Sequence, residues 1–168
     1  MGQLIVLATV HVALIGFFGA HVVARLAGGW NRRPRGLVAL WNLGAFSFLT
    51  HVLCAFHVHH DWSHASAVAD TARSTQEILG RAYGGGVFFS YAFTLLWPVD
   101  ALWILRFPRS HSGRPQAVKF IVHGYLLFIV FNGTIVFEAG VVRLVSALAF
   151  LLLASLTFFS RTFRTTAT

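Results

Sequence analysis

The chain has 168 residues, 57 % of them hydrophobic and only 11 % charged, with a formal charge of +8. A water-soluble domain this small has too much surface for its volume to hide so many apolar side chains, so lipid is its natural solvent. The thirteen Lys and Arg stand in short clusters between long apolar runs, which is the pattern of membrane topology and not of a nucleic-acid-binding face.

Read in chain order, 1–168 forms a single integral membrane domain. The first span covers about 3–25 and is interrupted only by His11 and His21. It lacks the basic start of a signal peptide and is too long for a signal core, so it is expected to remain as a span. Breakers and positive charge at 28–36 end it, and the second span runs over about 37–59. A polar stretch follows, in which Val68, Ala72, Ile78 and Leu79 at roughly helical spacing predict a short outer amphipathic helix over about 63–79, stopped by Gly80. The third span covers about 87–105, with Pro98 and Asp100 inside it. Residues 106–115, rich in Arg, Ser, Gly and Pro, read as a loop. The fourth span covers about 117–137, Glu138-Ala139-Gly140 turns the chain, and the fifth covers about 141–159. Each run is near the ~20 residues that carry a helix across ~30 Å of hydrocarbon. Strands would leave unpaired backbone groups in lipid. The expected fold is therefore an all-α, multi-pass bundle of five transmembrane helices with an extra outer helix.

The charge pattern sets an expected orientation. With five spans, Arg25, Arg32, Arg33, Arg35, Arg106, Arg109, Arg114, Lys119, Arg161 and Arg164 fall on one side, and only Arg73, Arg81 and Arg143 on the other. The positive-inside rule places the first group in the cytoplasm of a cell (inner) membrane, with the amino terminus outside. Trp30, Trp41 and Trp103 are expected near the cytoplasmic boundary and Trp62 near the outer one. Gly16 and Ala20 permit close helix packing on the first span. Cys54, the only cysteine, permits no internal disulfide and no CxxC motif.

Nine histidines are unevenly placed. Were the second helix to continue through Ser63, His57, His60, Asp61 and His64 would stand at i, i+3, i+4 and i+7 and share one face. Three imidazoles and a carboxylate suit a Zn, Cu(II) or Fe-type ion. The bland alternative is that the helix breaks and Asp61 or Ser63 caps the next one. With Met1 the only methionine, a soft Cu(I) site has no thioether ligands to draw on.

Deeper polar groups form two rough layers, His21, Asp100 and His123 toward the cytoplasmic side and His11, His51 and Asn132 toward the outer side. Asp100 inside hydrocarbon requires a partner, for which His21 and His123 are the candidates. Axial pairs His11 with His51 and His21 with His123 would suit haem b, and the same residues would suit a proton or ion relay. Each of them could equally serve as interhelical glue. No phosphate-cradling loop and no GxSxG nucleophile motif is present. Three classes follow: a metal- or haem-binding membrane protein, a small proton- or ion-conducting protein, and a non-catalytic subunit that completes a site with partner subunits or a second copy.

Overall fold

The computed structural model describes residues 2–165, and side chains as far as residue 159. These residues form α1 (Gly2–Leu26), α2 (Arg35–His60), α3 (His64–Leu79), α4 (Gly86–Arg106), α5 (Pro108–Ser112), α6 (Gln116–Phe131) continued by a π-helical turn (Asn132–Val136), and α7 (Gly140–Thr165). Five stretches are long and apolar enough to cross a membrane: α1, α2, α4, α6 with its π-helical turn, and α7. The fold is a transmembrane-type helical bundle, and its spans begin and end within two residues of those read from hydropathy. The side chains of Arg161 and Arg164, counted with the basic side, lie outside the described residues.

One end of the bundle carries the α1–α2 loop and the segment 106–115, tied together through Lys119 of α6, whose Nζ donates to Asn31 Oδ1 at 3.1 Å and to the Ser112 carbonyl at 2.7 Å. We refer to it as the basic end. The opposite end carries the α2–α3 turn, with His51 of α2 bonded to the Val6 carbonyl of α1 at 2.9 Å. We refer to it as the histidine-rich end.

Helices α1 and α2 form the most extensive pair. Ala13, Gly16, Ala20 and Ala24 repeat on one buried face of α1, and such small residues let two backbones touch. At Gly16 the approach is closest, since a Cβ there would sit 2.6 Å from the Gly44 Cα. Beside this seam the core is aromatic. Trp97 of α4 lies 5.3 Å from both Phe17 and Trp41 and 5.5 Å from Phe93, measured between ring centroids. Trp41 is fully buried, so it belongs to this core and not to an interfacial belt. Its indole N–H explains why, because it finds a buried acceptor described below. The outward faces are apolar: Leu4, Leu95, Phe120 and Leu148 stand exposed. In water such a surface would drive association, whereas lipid tails match it.

Helix α2 does not continue through Ser63. Asp61 and Trp62 adopt left-handed backbone (φ 45° and 59°), which breaks the helix at His60. Ser63 then caps α3, its Oγ accepting from the Ser66 N–H at 3.2 Å. Gly80 (φ 72°) ends α3 in the manner favoured for glycine. Thr75 fastens the exit, since its Oγ1 donates to the Thr71 carbonyl at 2.9 Å while accepting from the Tyr83 N–H at 2.9 Å. Gly84 is then seated so close to α3 that a Cβ would lie 2.8 Å from the Val68 carbonyl oxygen. This holds α3 across the histidine-rich end, where the amphipathic pattern anticipates it.

The segment 106–115 is not an open loop. Pro108, with its φ preset and no N–H to lose, starts the short helix α5. The chain then folds back so that His111 and Arg114 are buried, at 2 % and 7 % exposure.

Candidate functional site

The four residues proposed as metal ligands do not converge. The break at Asp61 removes the shared face, and each imidazole turns to a different partner. The Trp62 Nε1–H donates to His57 Nδ1 at 3.3 Å. His60 Nδ1 lies 3.3 Å from Ser66 Oγ and 3.3 Å from Asp70 Oδ2. His64 Nδ1 meets the Tyr91 hydroxyl at 2.9 Å. Among the described residues no three His, Cys, Asp or Glu side chains stand close enough to share an ion. His11 is exposed and bonds back to the Leu7 carbonyl of its own helix, and no ring contact or hydrogen bond joins it to His51.

The deep layer at the basic end is organised around Asp100, but its partners differ from those expected. Arg114 Nη1 donates to Asp100 Oδ1 at 2.5 Å, and the Trp41 Nε1–H donates to Oδ2 at 2.9 Å. Arg114 Nη2 reaches His111 Nε2 at 2.6 Å, and Arg114 Nε donates to the His111 carbonyl at 3.1 Å. A guanidinium has only donors, so His111 Nε2 accepts from Arg114 and does not donate to the carboxylate 3.3 Å away. The guanidinium also lies 5.0 Å from the centre of the Trp103 ring. A charge that would be costly alone is thereby neutralised and hydrogen-bonded on both oxygens. The network ties α2, α4 and α5 together.

His21 and His123 do come together, as neighbours of that network. Their ring centroids are 5.7 Å apart. Trp30 lies 5.3 Å from His21 and 4.3 Å from His123, and Trp41 lies 5.4 Å and 5.6 Å from them. With Trp30 and Trp41 only 4.8 Å apart, the four rings are mutually packed.

The larger cavity lies at the other end. It measures about 620 Å³ and runs between α2, α3, α4 and α6 with its π-helical turn. One wall is aromatic, from Phe48, Phe56, Phe89, Phe128 and Phe137. Polar side chains share the lining, Asp70, Thr71, Ser74 and Thr75 from α3 and His51 and His60 from α2, the last beside Phe56 with ring centroids 5.3 Å apart. Asp70 is held between His60 and Arg73, the latter at 3.0 Å. Asn132 and Gly133 of the π-helical turn line the same space. His60 and His51 were read from the sequence; Asp70 was not, because its pairing with His60 crosses a helix break that no spacing rule anticipates. His111 and Arg114 were missed for a similar reason, sitting in a segment whose composition reads as exposed.

The bundle and its cavity define a helical membrane protein with a mostly apolar chamber that carries a few polar groups. Comparison with protein-family models, with curated proteins and with solved structures finds no match to this chain.

Proposed function

We propose that this protein binds an apolar small molecule ending in hydroxyl or N–H donors, in the cavity beneath α3. The observation that carries the reading is the pairing of an aromatic wall with the His60–Asp70 couple inside one chamber of about 620 Å³. Ligand sites are typically concave, mostly apolar and ~300–1,000 Å³, with a few fixed polar groups. Several of the polar groups here offer acceptors. His60 Nδ1–H directed at Asp70, and His51 Nδ1–H directed at the Val6 carbonyl, leave each ring a lone pair at Nε2. Asn132 gives one Nδ2 hydrogen to the Phe128 carbonyl at 2.7 Å, and its Oδ1 remains an acceptor. Acceptors in an apolar chamber select a ligand that donates. The π-helical turn adds support, since such turns concentrate at functional sites.

Orientation is part of the same proposal. The basic end faces the cytoplasm of a cell membrane and the chamber faces outward, which the clustering of Arg and Lys supports. An impermeant maleimide applied to intact cells is expected to label a single cysteine at Ser63 in a Cys54→Ser background; labelling only after lysis would reverse the orientation.

The binding reading is tested with 1-naphthol, an apolar aromatic alcohol, against naphthalene, which has the same shape without the donor. The wild type is expected to hold naphthol about tenfold more tightly, the value of one buried hydrogen bond. His60→Phe is expected to erase that difference, and Thr94→Trp, which fills the chamber, to abolish both. Equal binding of the two probes by the wild type would refute the reading.

A further inference from the structure

A second, smaller cavity of about 410 Å³ opens between α1, α6 and α7 in the half of the bundle nearer the basic end. Its walls are mostly apolar, including Phe131, Phe150 and Leu153. Two polar residues, His21 and Arg25, enter it from α1. They are four residues apart, so they lie on one face of the helix about a turn from each other, with Arg25 nearer the end. No acidic side chain among the described residues pairs with Arg25. His21 is 3 % exposed, and its Nδ1 bonds to the Phe17 carbonyl at 2.9 Å. A carbonyl can only accept, so Nδ1 carries the proton and Nε2 keeps a lone pair. That Nε2 is buried and has no partner. Gly124 leaves the α6 wall open, since a Cβ there would meet nothing within 4 Å.

We propose that this cavity is a site for a single-chain anionic phospholipid with a free glycerol hydroxyl. Each part of that ligand answers one feature. The acyl chain occupies the apolar walls and the space beside Gly124. The phosphate sits at Arg25, at the level where basic pockets between membrane helices take lipid head groups. The hydroxyl of the glycerol backbone, which in a bilayer lies deeper than the phosphate, donates to His21 Nε2 one turn below. A diacyl lipid carries an ester at that position and has nothing to donate at that depth; the head-group hydroxyls of phosphatidylglycerol lie on the far side of the phosphate. A zwitterionic head weakens the charge term at Arg25. The site lies toward the opposite end of the bundle from the chamber beneath α3 and does not depend on it.

The test is native mass spectrometry of the full chain with oleoyl lysophosphatidylglycerol, dioleoyl phosphatidylglycerol and oleoyl lysophosphatidylcholine in competition. The wild type is expected to retain the first over each of the others by at least about tenfold. His21→Phe, which keeps the ring and removes the acceptor, should erase the preference over the diacyl lipid alone. Arg25→Gln should erase the preference over the choline head alone. Gly124→Leu should lose all three. Equal retention of the three lipids by the wild type overturns the proposal without reference to any variant. So does a folded Gly124→Leu protein that retains them as the wild type does.

Discussion

Asp100 on α4 and Arg114, fourteen residues further on, meet at 2.5 Å with 2 % and 7 % of their surfaces exposed. Neither charge has water to stabilise it, so each is tolerable only because of the other. Removing one partner of a buried pair leaves an uncompensated charge and costs about 3–5 kcal/mol, whereas replacing both with apolar groups is often neutral. Arg114→Met is therefore expected to lower unfolding stability in detergent by that amount. Asp100→Leu combined with Arg114→Met is expected to recover most of it. A single variant as stable as the wild type would mean the pair does not hold α5 to the bundle.

The seam between α1 and α2 yields a second prediction. With Gly16 packed on the Gly44 backbone, any side chain at position 16 must push the helices apart. Overpacking of this kind costs about 1–3 kcal/mol. Gly16→Ala should fall near the lower figure and Gly16→Val near the upper, as read by thermal denaturation. An unchanged midpoint for both would show that the seam is looser than the structure has it.

How far the sequence discloses this protein depends on which interaction is asked about. The spans are legible because hydropathy is a property of contiguous residues, and lipid rewards nothing else over 20 positions. Ser63 and Gly80 are legible as a cap and a stop because those roles are local. That Asp100 must have a partner follows from its position, since a lone carboxylate in hydrocarbon is too costly. Which partner it takes does not follow. Arg114 sits among Ser, Gly and Pro, a composition that reads as exposed, and only the fold-back after Pro108 brings it inward. The histidine cluster misleads for the converse reason. Its shared face requires continuous helix, and two left-handed residues, Asp61 and Trp62, end that helix one position after His60. The chamber beneath α3 is the least legible feature, because its walls come from four elements distant in sequence.

Thr75 supplies a third prediction. Its hydroxyl both donates within α3 and accepts the Tyr83 N–H, so it joins the outer helix to the start of α4. Thr75→Val keeps the shape and leaves a part-buried backbone N–H without its acceptor, a loss of about 1 kcal/mol. Proteolysis between Leu79 and Gly86 should accelerate accordingly, while the five spans remain intact. Wild-type cleavage rates would show that the connection is held by packing alone.

Asp61 separates the two roles open to the histidine-rich turn. As a left-handed residue at φ 45° it bears a backbone cost that glycine does not. If its role is to end α2, Asp61→Gly should be neutral or up to about 1 kcal/mol more stable, because a left-handed cost of about 1–2 kcal/mol is relieved and glycine's extra entropy in the unfolded chain offsets about half of it. If it ligates a metal with His57, His60 and His64, the same change should weaken zinc binding markedly, since the carboxylate is one of four ligands. We expect the first outcome, with zinc affinity of the purified chain unchanged by the substitution. The reason is geometric: the left-handed break after His60 removes the shared helix face, and among the described residues no three His, Cys, Asp or Glu side chains stand close enough to share an ion. A tenfold loss of zinc affinity in Asp61→Gly would show that the turn rearranges to gather these side chains around the metal.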